Sequence, residues 1–396
     1  MVALSEVFPS ALGLTADQLQ QAGARWTARE IAQQPAVWRE IAADFAAHQA
    51  HYQQWLTPLL QLPNLRIILT GAGTSAYIGQ TLLPHLLNRL PLPGQRIEAI
   101  STTDLVSHPQ QWLNADQPTL LLSYGRSGNS PESLAAVQLL QQNVARCFHL
   151  IISCNAKGQL AEFGRLHDNA LVWLLPDACH DRSFAMTSSF TGMLLASLLL
   201  LAPDATAMAK SFALTEQVLA KPEEINQLAL TPCRRMVFLG GGCLGGIARE
   251  AALKYLELTA GQILSYYESP LGFRHGPKSL VDEHTQIVLL AGSDQYSQQY
   301  DADLYQELLN NGRALSVVKF QLDDLITKQR LPDVWTAFPA IVYCQALAFF
   351  KALQLNVSPD NPCPSGEVNR VVQGVTIYRF SRTEPASVMA TAAEQG

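Results

Sequence analysis

Positive charge is scarce in this chain: 27 Lys and Arg stand against 33 Asp and Glu in 396 residues, for a formal net charge of −6. No Lys/Arg block stands out, which counts against a nucleic-acid partner. The seven cysteines (Cys147, Cys154, Cys179, Cys233, Cys243, Cys344, Cys363) include no Cys-x-x-Cys pair. An odd, scattered set fits a reducing compartment and argues against a disulfide framework or a metal cluster. The first residues carry Glu6 and no early basic residue, unlike a secretory signal. The longest apolar run, Met193 to Ala202, is about half of a bilayer span and ends at Pro203. A buried helix is expected there, and with it a cytoplasmic protein with no membrane partner.

Apolar material, by contrast, is plentiful. Hydrophobic residues make up 48% of the chain and charged residues 15%. That is more than one ordinary core at this length, and too little charge for disorder. A phosphate ester bound by such a chain would have to be held mainly by backbone amides and hydroxyls.

Residues 1–60 read as helices, with Thr27-Ala-Arg-Glu30 as a capping box and Ile31, Trp38, Ile41 and Phe45 at helical spacing. Strands are expected at Arg66–Thr70, Arg96–Ile100, Thr119–Ser123, Cys147–Ser153 and Leu171–Leu175, alternating with helices, the pattern of a parallel sheet. A helical connector spans Pro203 to Pro232. The pattern then restarts with Met236–Leu239 and a glycine-rich run, Gly240 to Gly246. Leu69 and Leu239 hold equivalent places, so an internal duplication is expected. Further strands are expected at Gln286–Ala291, Leu315–Phe320 and Val371–Phe380, with helices at 297–311 and 333–354.

Several runs carry chemistry. Gly71-Ala-Gly-Thr-Ser75 lies between a strand and a helix, where glycines admit a ligand to the backbone and free N–H groups attract an anion. Taken alone, a tight turn explains it equally well. Ser123-Tyr-Gly-Arg-Ser-Gly-Asn-Ser-Pro-Glu132 is more specific. Ser130 is placed as an N-cap before Pro131, and Arg126, Ser127, Asn129 and Ser130 crowd donors at the helix start, a nest suited to a phosphate monoester. Thr187-Ser-Ser189 reads as a helix cap that could form a third wall. Both glycine loops loosely match a dinucleotide fingerprint, but the acid expected about 20 residues on is missing from both. Glu250, Lys254 and Glu257 line one helix face. A solvated, salt-bridged face is the default, but this helix starts at a glycine-rich loop and is flanked by small residues, as buried helices often are. His275, in Arg274-His-Gly-Pro277, is poised for proton transfer, although a lone histidine is more often structural.

With these residues the chain resembles the sugar-isomerase (SIS) domain family from about residue 45 to 385. The helix with Glu250, Lys254 and Glu257 followed by His275-Gly-Pro is similar to the isomerase half of glucosamine-6-phosphate synthase. The run from Glu268 to Pro277 and the tail Pro364 to Tyr378 look like the galactosamine-6-phosphate deaminase/isomerase subgroup, also labelled tagatose-6-phosphate ketose/aldose isomerase. The resemblance implies an α/β fold of two tandem doubly wound parallel sheets, flavodoxin-like three-layer sandwiches, behind an N-terminal helical extension. The units would be 1–50, 51–205, 206–385 and a tail, 386–396. It implies Gly73, Thr74, Ser75, Arg126, Ser127, Asn129, Ser130, Ser188 and Gln373 around the sugar phosphate. Glu257 would be the base, with Lys254 beside it, and His275 the ring-opening group of a neighbouring subunit. A homodimer or dimer of dimers with shared sites follows, with no cofactor and no metal. Gln373 stands where the synthase has lysine, so a plain isomerase mechanism does not transfer unchanged. A deaminase, an isomerase of a neutral sugar phosphate and a non-catalytic SIS regulator remain as readings, and the joint presence of Glu257 and His275 disfavours the last.

Overall fold

The computed structural model describes residues 10–90, 92–321, 331–372 and 374–381. Two parallel sheets organise it. The first has the order β2-β1-β3-β4-β5, from β1 (Arg66–Thr70), β2 (Arg96–Ala99), β3 (Thr119–Gly125), β4 (Cys147–Ser153) and β5 (Ala170–Leu174). The second has the order β7-β6-β8-β9, from β6 (Arg235–Gly240), β7 (Leu264–Glu268), β8 (Thr285–Leu290) and β9 (Ser316–Phe320). The second order repeats the first without its fifth strand, which is what a duplication leaves behind. All strand pairs are parallel. The central strands β1, β3 and β8 are buried throughout, as expected of continuous apolar runs covered on both faces.

Five first-half strands fall where the sequence places them. β7 escapes the sequence reading because Leu-Ser-Tyr-Tyr-Glu is an edge strand, half-exposed, with no apolar run. The expected late strand at Val371–Phe380 is a correction. The described residues of that segment form no strand, since their β-prone side chains meet no sheet neighbour, and Val372, Val375, Ile377 and Tyr378 are exposed. Phe380 instead packs on the cluster containing Ile68, Leu105 and Leu121.

The N-terminal residues form three helices, Ala16–Gln21, Arg25–Ala32 and Gln34–Leu60, so the third runs unbroken toward β1. The expected capping box at Thr27 and Glu30 is also corrected, because the helix begins at Arg25 and both residues lie inside it. Asp360 serves that helix end in its place. Its carboxylate accepts the Trp26 and Thr27 amides (3.1 and 2.8 Å) and the Thr27 hydroxyl (2.8 Å). The capping box that does form joins Thr15 to Gln18.

Helix Asp333–Gln354 is buried along most of its length and packs against helices Ala205–Leu219, Pro222–Ala229 and Cys243–Leu258. It is the one described helix long and apolar enough to cross a membrane, yet it is the core of this fold. The Met193 run is likewise a buried helix, Ser188–Leu201. One hydrophobic cluster contains Trp38, Phe190, Phe238 and Trp335, so both sheets share a core.

The two halves meet where helix Thr74–Leu86 crosses helix Cys243–Leu258. At the crossing, a Cβ on Gly246 would lie 2.4 Å from the Thr81 hydroxyl and 2.6 Å from the Thr81 nitrogen. Only a bare glycine permits that approach. Gly246→Ala would gain up to about 1 kcal/mol in helix propensity. The clash should outweigh it, for a net loss of about 1–3 kcal/mol and a lower thermal midpoint. Gly241→Ala, whose Cβ would meet only Pro270 at 3.9 Å, should leave the midpoint nearly unchanged. Equal melting of the two variants would show that the crossing relaxes freely.

Candidate active site

The two glycine loops adopt the same backbone. Gly73 has φ 53°, ψ −126° and Gly242 has φ 53°, ψ −128°, and each precedes the first turn of its helix. That φ disfavours any residue with a Cβ. A Cβ at either position would have nothing within 4 Å, so open space lies outside both loops. Thr74 and Ser75, buried at the start of the first helix, point their hydroxyls at Glu250 (3.3 Å) and the Met186 sulfur (3.9 Å). Met186 is a wall of this loop that the sequence did not reveal.

Ser130 caps helix Pro131–Asn143 as expected, accepting the Ser133 amide at 3.3 Å, with Pro131 at the first position. Gly128, at φ 63°, turns the loop. Ser127 accepts the Asn129 amide (3.2 Å), and Asn129 Oδ1 accepts the Gln159 amide (3.0 Å). Ser127 and Ser130 are half-buried and Asn129 exposed. Arg126 is buried and donates to the Phe184 carbonyl (2.9 Å) and the Arg370 carbonyl. Burial first, and then the Arg370 guanidinium, lower its pKa to about 10, still well inside the charged range.

Ser188 is not brought to the open side. It is fully buried, donates to the Glu30 carbonyl (2.7 Å) and accepts from Gln33 (3.1 Å). The start of its helix is already filled by Asp181. That carboxylate accepts the amides of Thr187 (2.8 Å), Ser188 (3.0 Å) and Ser189 (2.9 Å), and the hydroxyls of Thr187 (3.0 Å) and Ser189 (2.5 Å). Asp181 carried no sequence signal, because its partners follow it in a loop of ordinary polar composition.

Helix Cys243–Leu258 brings Glu250, Lys254 and Glu257 together. The face is buried, as the glycine-rich start and small flanking residues suggested: Glu250 and Lys254 are buried, and Glu257 keeps 24% side-chain exposure. Lys254 pairs with Glu257 and lies 3.5 Å from Glu250. Burial pushes Glu250 up to about 8, with Lys254 opposing, and its Oε2 has no hydrogen-bond partner. Burial works against the Lys254 ammonium, but Glu250 and Glu257 outweigh it and raise its pKa. The ion pair is Lys254 with Glu257, which is in direct contact and partly solvated, and Glu250 is the member that keeps a proton. A partly exposed carboxylate in contact with one buried ammonium is suited to taking a proton from carbon.

His275 is exposed on the loop after helix Pro270–Phe273 and makes no side-chain hydrogen bond or ion pair among the described residues. Gln373 lies outside the described residues, whereas Arg370 donates to the Ser183 carbonyl (3.1 Å) and the Asp181 carbonyl. The chain therefore gathers Gly73, Thr74 and Ser75 beside Glu250, Lys254 and Glu257, and links Arg126 to Arg370.

Comparison with known proteins bears on this arrangement. Residues 229–354 match the SIS domain. The chain is 55% identical over 372 residues, 94% of its length and 96% of the relative's, to D-galactosamine-6-phosphate deaminase AgaS of Shewanella sp. (strain ANA-3). It is 43% identical over 370 residues, 89% and 95% of the two lengths, to D-galactosamine-6-phosphate deaminase AgaS of Escherichia coli. Among solved structures, a tagatose-6-phosphate ketose/aldose isomerase from Escherichia coli superposes with a TM-score of 0.83 at 40% identity, covering 90% of this chain and 97% of the other.

The buried Glu250 has a measurable consequence. Its folded pKa of about 8 lies above the ordinary 4.5, so the folded state holds a proton that the unfolded chain releases. Its contribution is fully present below about pH 4.5 and is lost as pH rises through about 8, at up to about 1.4 kcal/mol per pH unit. Glu30, raised to about 8 chiefly by burial and then by Asp181, adds a loss of the same sign. Glu250→Gln should flatten the decline, so its stability relative to wild type rises between about pH 5 and 8.5 in denaturant titrations. A difference independent of pH would mean that Glu250 is ionised throughout.

Proposed function

The chain belongs to the SIS-domain family, in its D-galactosamine-6-phosphate deaminase AgaS group, and from that premise we propose that it converts galactosamine-6-phosphate to tagatose-6-phosphate and ammonia. The observation that carries the assignment to this chain's own residues is the Lys254–Glu257 pair, half-open at the end of a helix whose Glu250 reaches Thr74 of the first glycine loop.

In this reading the half-buried Ser127 and Ser130 hydroxyls, with the amides of the Gly73–Ser75 turn, hold the phosphate. His275 of a second subunit opens the pyranose by moving a proton between O1 and O5. Its exposure, with no side-chain hydrogen bond or ion pair among the described residues, supports a shared site in a homodimer or dimer of dimers. Glu257 removes the C2 proton of the open 2-amino aldehyde, leaving an enolamine. Returning the proton to C1 gives a ketose iminium, and water then replaces nitrogen, so ammonia leaves and the ketose 6-phosphate remains. Lys254, in contact with Glu257, orients its carboxylate. The domain limits at 51–205 and 206–385 and a cytoplasmic location belong to the same proposal. The isomerase reading stays relevant because the Escherichia coli structure bears that name, and both activities need ring opening and removal of the C2 proton by the same base.

Galactosamine-6-phosphate should therefore yield ammonia and tagatose-6-phosphate in equal amounts, followed by a coupled ammonia assay and by chromatography of the sugar phosphates. Glu257→Gln should lose about 10²–10⁴-fold in kcat with KM little changed. Ser127→Ala with Ser130→Ala should mainly raise KM, by roughly tenfold or more. Exchange of the C2 proton with solvent deuterium without ammonia release would replace deamination by isomerisation.

A further inference from the structure

We propose that Glu307 is a positioning residue that clamps the loop carrying His275 and so fixes where that imidazole meets the sugar of a neighbouring subunit. His275 is exposed and has no side-chain hydrogen bond or ion pair among the described residues. Its aim therefore has to come from the loop beneath it.

That loop is gripped on both sides of the histidine. Arg274 Nε donates to Glu307 Oε2 at 2.8 Å, and the Lys278 ammonium contacts Oε1 of the same carboxylate. Each cation has its own oxygen, so one group ties down the residues before and after His275. Gly276 makes the double grip possible. At φ 123° and ψ −51° it turns the chain straight after His275, in a conformation that disfavours any residue with a Cβ. Lys278 thereby returns to the carboxylate that Arg274 already holds. Beneath the turn, Phe273 is fully buried in a cluster with Leu304 and Leu308. Those leucines and Glu307 belong to helix Gln295–Asn311, which packs against helix Pro270–Phe273. One helix therefore supplies both the apolar seat and the charged grip. Lys278 first, and then Arg274, hold the Glu307 carboxyl below its ordinary pKa, so the grip stays charged.

Stability does not explain the arrangement. Arg274, Lys278 and Glu307 keep 28%, 27% and 35% side-chain exposure, and ion pairs at such exposure add little to folding. Position does explain it, because misplacing a reacting group by about 1 Å can cost about 10²-fold in rate. The inference rests on the ring-opening role given to His275 above.

A double-mutant cycle on the full chain tests it. The rate is read as exchange of the C2 proton of galactosamine-6-phosphate with solvent deuterium, a step required whether or not nitrogen leaves. Glu307→Gln should lower kcat for exchange by about tenfold to 10²-fold, with KM and the thermal midpoint little changed. Glu307→Asp, which keeps the charge, should recover part of the loss. Arg274→Gln with Lys278→Gln, which removes the grip from the loop side, should reproduce it. In a His275→Ala background, Glu307→Gln should cost nothing further, because a residue that acts through the histidine then has nothing to place. Equal losses in both backgrounds would make Glu307 a structural residue and overturn the proposal. An unchanged kcat in Glu307→Gln, while His275→Ala is impaired, would overturn the clamp and leave the ring-opening role standing. If His275→Ala itself exchanges at the wild-type rate, the ring-opening role falls, and the clamp with it.

Discussion

The crossing of helices Thr74–Leu86 and Cys243–Leu258 is the constraint on which the site depends. Each helix follows a glycine turn of the same conformation, one from each sheet, and they approach closely because Gly246 has no side chain to hold Thr81 away. That approach sets the distance between the first turn of one helix and the middle of the other. Thr74 can then reach Glu250, and the Lys254–Glu257 pair lies one turn further along. The first glycine loop and the helix that carries Glu250, Lys254 and Glu257 are thus joined by close backbone contact rather than by a flexible linker.

A second anchor is Asp181. One carboxylate takes three amides and two hydroxyls at the start of helix Ser188–Leu201, satisfying donors that would otherwise be buried and orphaned. With that loop fixed, its carbonyls become a rack. The Asp181 and Ser183 carbonyls hold Arg370, and the Phe184 carbonyl holds Arg126. Glu30 reinforces the rack from the N-terminal helices by accepting the Arg182 and Ser183 amides. The polar order around the site is therefore built mostly from backbone, in keeping with a chain poor in cations.

The sequence revealed what depends on local pattern. Ile67-Ile68-Leu69 and Leu120-Leu121-Leu122 are central strands because such runs can be buried on both faces, and Gly73 and Gly242 stood out because turns into helices at positive φ favour glycine. Ser130 with Pro131 marked a helix start, and spacing alone put Glu250, Lys254 and Glu257 on one face. Features that depend on partners far along the chain stayed hidden. Glu30 looked like a local cap but serves residues 182 and 183, and Thr27 answers to Asp360. Ser188 looked like a ligand-facing hydroxyl, yet helix Ser188–Leu201 is buried on all sides at its start. Val371–Phe380 has the composition of a strand and lacks only an edge to pair with, which no local pattern can reveal.

The shared core also governs how the protein comes into being. Trp38 packs edge-on against Phe338, ring centroids 5.1 Å apart, and Asp360 completes the start of helix Arg25–Ala32. A ribosome makes the N-terminal partners long before the C-terminal ones, so the first sheet emerges with one side of its core still missing. Contacts spanning some 300 residues close late and slowly. The nascent chain must therefore hold a large apolar surface open until helix Asp333–Gln354 arrives. Its biogenesis is a whole-chain event in which the last described helix, as apolar as a membrane segment, is the keystone.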